Sequence, residues 1–127
     1  MHQIEEEIEK NRAIYDVNKA MTKGYDANSK KLDLGGQSLK NLRFLPKMIK
    51  EFKNLEALDL SKADLRSKDA VSHVCKMIDE NDTLESLILQ ECNINGNTLS
   101  KIADALTKKN NRNLTTLDIR KNPIQDM

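Results

Sequence analysis

From residue 29 onward the chain repeats one arrangement of apolar and polar positions four times. An apolar residue is followed three residues later by another, then by a third two residues on. A polar or small slot comes next, and one more apolar residue closes the unit. Leu84, Leu87, Leu89, Cys92 and Ile94 form one copy, and Leu114, Leu117, Ile119, Asn122 and Ile124 another. Leu55, Leu58, Leu60, Ala63 and Leu65 form a third, and Ser29, Leu32, Leu34, Gln37 and Leu39 a degenerate first one. Units that start at positions 29, 55, 84 and 114 have the period of a solenoid, in which each unit buries its apolar side against its neighbours.

Inside each unit the pattern switches from strand to helix. Strands are expected at 31–34, 57–60, 86–89 and 116–119, where apolar residues alternate with others. Helices are expected over Phe44 to Phe52, over 68–80 and over 98–109. The first turns Leu45, Met48, Ile49 and Phe52 inward, and Pro46 is tolerated in its first turn. The second has Ser67 as N-cap and Val71, Val74, Cys75 and Ile78 toward the core. The third has Asn97 or Thr98 as cap and Leu99, Ile102, Ala103 and Leu106 at helical spacing. A helix between successive strands rules out hairpins, so the strands pair in parallel through right-handed crossovers. Residues 2–21 read as a further amphipathic helix, with Ile4, Ile8, Ile14, Tyr15, Val17 and Met21 on one side and Gly24 as its stop. Residues 1–28 are therefore expected to form an N-terminal capping helix and linker, and 29–127 about 3.5 repeat units.

Composition narrows the chemistry. Twenty-one basic and 20 acidic residues leave a net charge of +1, which argues against a nucleic-acid or membrane surface. No apolar run approaches the roughly 20 residues that span a bilayer. Cys75 and Cys92 read as small buried hydrophobes and not as a disulfide, and without a signal peptide the chain reads as cytoplasmic. His2 and His73 are the only histidines, and no catalytic, cofactor-binding or metal-binding set can be built from them. Gly35-Gly36 reads as a tight turn, since no phosphate-cradling motif surrounds it.

The stretch from Leu84 to Leu106, with its strand, Cys/Asn slot, Gly-containing loop and full helix, resembles a leucine-rich repeat of the ribonuclease-inhibitor type. Met77-Ile-Asp-Glu-Asn-Asp-Thr-Leu84 and Glu9-Lys-Asn-Arg12 resemble segments of the tropomodulin-like subgroup. Gln37 and Ala63 depart from the pattern, because neither is the Asn or Cys expected in the slot. The resemblance implies an α/β solenoid with parallel strands on a concave face and helices on a convex face. It also implies a non-enzymatic scaffold that binds a protein partner. The alternatives are an actin- or cytoskeleton-regulating module like the tropomodulin repeat domain, or an N-terminal regulatory domain of a larger protein.

Strand alternation then selects the residues that meet a partner. If Leu58, Leu60 and their equivalents face inward, three rows face outward. The middle row is Asp33, Asp59, Ile88 and Asp118. Flanking it are Lys31, Ala57, Ser86 and Thr116 on one side and Gly35, Ser61, Gln90 and Arg120 on the other. Lys31, Asp33, Asp59, Ser61, Ser86, Ile88, Gln90, Thr116, Asp118 and Arg120 are the candidate partner-binding residues. Ile88 is the expected anchor, an apolar side chain among polar ones. The fourth unit holds a strand and turn without a following helix, so Leu114, Leu117, Ile119 and Ile124 are expected to be covered on one side only. That edge is expected to be continued by further repeats of a longer protein, to pair with another subunit or in a homodimer, or to be stopped by Asn122-Pro123.

Overall fold

The computed structural model describes residues 28–35, 42–43, 45–109 and 113–124. Its elements follow in the order β1 (Lys31–Asp33), α1 (Leu45–Ile49), β2 (Ala57–Asp59), α2 (Lys68–Glu80), β3 (Ser86–Ile88), α3 (Gly96–Lys109) and β4 (Thr116–Asp118). The four strands form one sheet in the order β1-β2-β3-β4. Every pairing is parallel, as an intervening helix requires. The expected helix at 2–21, with the capping role given to 1–28, lies outside the described residues, as do Gln37, Leu39 and Phe44.

Matching positions of successive units sit side by side. Leu32, Leu58, Leu87 and Leu117 are in register across the sheet, and the first three are 2%, 0% and 0% exposed. Leu55, Leu60, Leu65, Leu84, Leu89 and Ile94 join them in a single core, met from the helical layer by Leu45, Ile49, Val74, Met77 and Ile102. Full burial of one such side chain contributes about 1.5–3 kcal/mol. The fourth unit is less enclosed, for Leu114, Leu117, Ile119 and Ile124 are half-buried where Leu84, Leu87, Leu89 and Ile94 are sealed.

Three-residue strands leave most backbone bonding to the turns, and the turns repeat as faithfully as the leucines. One carbonyl before each strand accepts two N–H groups from the next unit. Lys30 O accepts from Glu56 and Ala57, Glu56 O from Glu85 and Ser86, and Glu85 O from Thr115 and Thr116, all between 2.7 and 3.1 Å. After the strand, Leu34, Leu60 and Leu89 each donate to the carbonyl of the neighbouring unit's last strand residue. Lys62, Glu91 and Lys121 occupy one position of this turn and share a left-handed backbone, with φ of 73°, 54° and 62°.

The polar slot closes the ladder. Asn122 Oδ1 accepts from the Cys92 and Ile94 N–H groups at 2.8 and 3.1 Å. Its Nδ2 donates to the carbonyls of Leu89 and Ile119. Cys92 takes the corresponding place one unit earlier and donates its S–H toward the Leu60 and Gln90 carbonyls, both at 3.4 Å. Ala63, which has no donor, is packed at 1% exposure as a plain apolar filler.

Helix α2 has the expected bounds, with Ser67 Oγ accepting the Ala70 N–H as N-cap. At its other end Asn81 Oδ1 accepts from Thr83 and Leu84 and leads the chain into β3. Each strand is one residue shorter than expected, and α1 ends at Ile49 and not at Phe52, because Glu51 and Phe52 donate to the Met48 and Ile49 carbonyls in tighter turns. Three further details differ from expectation. Met77 is a core residue of α2, whereas Cys75 is half-buried beside α3, its Sγ 3.7 Å from the Lys101 carbonyl. Asn95, and neither Asn97 nor Thr98, caps α3 by accepting the Thr98 N–H, which starts that helix two residues early. Ala103 is exposed while Ala105 packs on the core, because the stripe that α3 buries is centred on Ile102.

Candidate functional site

The inward leucines fix what the other face of the sheet carries. With Leu32, Leu58, Leu87 and Leu117 toward the helices, their strand neighbours point away from them. Lys31, Ala57, Ser86 and Thr116 are in register, and so are Asp33, Asp59, Ile88 and Asp118. Ser61, Gln90 and Arg120 follow in the turns, where Lys62 donates to Gln90 O and Glu91 to Arg120 O. All ten expected residues therefore share one face. Lys31, Asp33, Thr116 and Arg120 are exposed; Asp59, Ser61, Ser86, Ile88, Gln90 and Asp118 are half-buried by one another.

The acidic row is more than a set of solvated charges. Each carboxylate accepts the N–H two residues ahead and so closes the turn that leaves the sheet. Gly35 donates to Asp33 Oδ1 and Ser61 to Asp59 Oδ1, both at 2.8 Å, and Arg120 donates to Asp118 Oδ1 at 3.2 Å. Gly35 is held close, since a Cβ there would lie 3.0 Å from both Asp33 Oδ1 and Asp59 Oδ1.

Ile88 breaks the row, having no carboxylate to offer its turn. The Gln90 N–H donates instead to Ser61 Oγ of the preceding unit at 3.2 Å. The Gln90 side chain turns the other way and donates to Asp118 Oδ2 at 2.7 Å. Arg120 grips the same carboxylate through Nε and a terminal nitrogen at 3.0 and 2.9 Å. The Arg120 side chain, then the Gln90 amide and the Arg120 N–H, hold the Asp118 carboxyl well below the usual carboxylate range. The face thus divides. Around Asp118 the charge is spent internally, whereas Asp33 and Asp59 stand together beside Gly35 with Ile88 next to them.

Among the described residues, the cysteines and His73 are not gathered here. Cys92 lies beneath the sheet's turns at 0% exposure, where burial pushes its thiol up to about 11. His73 belongs to α2 in the helical layer. Among the described residues no group of three or more His, Cys, Asp or Glu is placed to hold a metal ion, and no helix is long and apolar enough to cross a membrane.

A family model described as Leucine Rich repeat matches residues 110–126, the segment that holds β4 and its turn. The sequence of the fourth unit is thus similar to a leucine-rich repeat. The three before it lie beside it in register and share its backbone bonding. No curated protein and no solved structure matches the chain.

Proposed function

We propose that this chain is a leucine-rich-repeat module of the ribonuclease-inhibitor type that binds a protein partner through the outward face of its sheet. In this reading the repeats of 29–127 stack as a solenoid and that face is its concave side. The carrying observation is Ile88, a large apolar side chain in register between Asp59 and Asp118 on the face of the sheet that, among the described residues, no helix covers. Desolvating an apolar anchor ringed by polar groups is how such surfaces gain affinity. Asp33 and Asp59 beside it favour a partner with a basic group next to its apolar one. Binding rather than catalysis fits the groups at hand, because the Cys92 thiol is sealed and the Asp118 carboxylate is occupied by Arg120 and Gln90.

Two neighbouring substitutions test the reading. Ile88→Asp puts a charge on the outward face and leaves the circular dichroism spectrum and melting temperature near those of the wild type. Leu87→Asp puts the same charge at a position with 0% exposure and unfolds the domain, at a cost above about 4 kcal/mol. A partner captured by the wild-type chain is lost by Ile88→Asp. Unfolding by Ile88→Asp, or undiminished capture by it, overturns the assignment.

A further inference from the structure

The helical layer holds a charged feature that the linear order of residues conceals. Between α1 and α2 lies an open groove of about 650 Å3. Arg43, Lys47 and Lys50 line it from the α1 side, and His73, Lys76 and Glu80 from one face of α2. Glu51 is a second carboxylate of the groove, so among the described residues four cationic side chains oppose two acidic ones, in a chain whose entire net charge is +1. Lys50 and Glu80 satisfy each other across the gap at 3.3 Å, which leaves the exposed Lys47 and Lys76 on facing walls. A smaller hollow of about 240 Å3 shares Pro46, Lys50 and Glu80 with this groove and ends over Ile49, Phe52 and Met77.

We propose that this groove docks an acidic peptide segment of a protein partner, with an apolar side chain entering the smaller hollow. Charge complementarity selects the class of occupant. Two lysines on opposite walls suit carboxylates spaced along an extended chain, and Pro46, Ile49, Phe52 and Met77 give the smaller hollow an apolar part beside its polar lining. A nucleic-acid backbone fits less well. It carries a charge at every nucleotide and would meet Glu51 and Glu80, and among the described residues no Phe, Tyr or Trp lines the larger groove to stack a base. The site is separate from the sheet face, since groove and Ile88 lie on opposite sides of the core.

The test is fluorescence anisotropy of a fluorescein-labelled, glutamate-rich peptide with one central leucine, titrated with the full chain at low ionic strength. The wild type binds it, and added salt weakens binding. Lys47→Glu combined with Lys76→Glu lowers affinity by about tenfold or more with an unchanged circular dichroism spectrum. Ile88→Asp leaves this affinity as it was, so failure of this proposal and failure of the sheet-face reading are told apart. Equal affinity of the double variant, or no binding by the wild type, overturns the proposal. So does tighter binding of a single-stranded oligonucleotide that the same variant weakens. Binding that appears only once Glu5, Glu6, Glu7 and Glu9 are changed to Gln overturns a partner as occupant, in favour of the chain's own acidic segment.

Discussion

Cys92 and Ile88 show how one position in a repeat can change its chemistry and be accommodated. Where its successor unit has an asparagine, Cys92 has one weak donor, aimed between two carbonyls 3.4 Å away. The enclosure that makes this contact keeps the thiol protonated up to about 11, against an ordinary value of 9.0. A value raised by folding contributes stability that is whole below pH 9 and is lost as pH rises toward 11. The urea midpoint of the wild type is therefore expected to fall more steeply above about pH 9 than that of Cys92→Ala, which has no thiol to ionise. Parallel slopes for the two would show that the thiol is solvated. The same burial sets the order of alkylation, with half-buried Cys75 reacting before Cys92.

Among the elements, the strands are too short to hold the sheet by their own ladders, and the turns carry the remainder. Asn122 bonds across to the turn of the third unit through Cys92 N, Ile94 N and Leu89 O. Asn122→Ala orphans these groups together and is expected to cost about 2–4 kcal/mol, read as a lower denaturation midpoint at unchanged m-value. A loss under about 0.5 kcal/mol would mean that water replaces the amide. Element bounds were legible where the signal is local. Ser67 with the apolar period after it gave α2 its limits, and the leucine spacing gave every strand. The start of α3 was not, because Asn95, Asn97 and Thr98 are all competent caps and only the backbone path selects Asn95. Ala103 and Ala105 were exchanged for a related reason, since a small residue gives the helical period no weight of its own.

For the molecule as a whole, the repeat was legible because the same leucine stations return in every unit, and parallel pairing follows from the helix between each pair of strands. The outward rows were legible too, since alternation in a strand leaves no freedom once the leucines are placed. The role of Asp33, Asp59 and Asp118 as turn closers was less so, for sequence shows their charge and not their acceptor geometry. The cationic groove was not legible at all. Arg43 to Glu51 and His73 to Glu80 are distant in the chain, and only the packing of α1 on α2 brings them together. A net charge near zero hides such local clustering. The uneven enclosure of the four units has a kinetic outcome. In deuterium, the main-chain proton of Thr116, bonded to Glu85 O, is expected to swap roughly tenfold or more ahead of that of Ser86, bonded to Glu56 O. The sheet would then open like a zip from β4 toward β3.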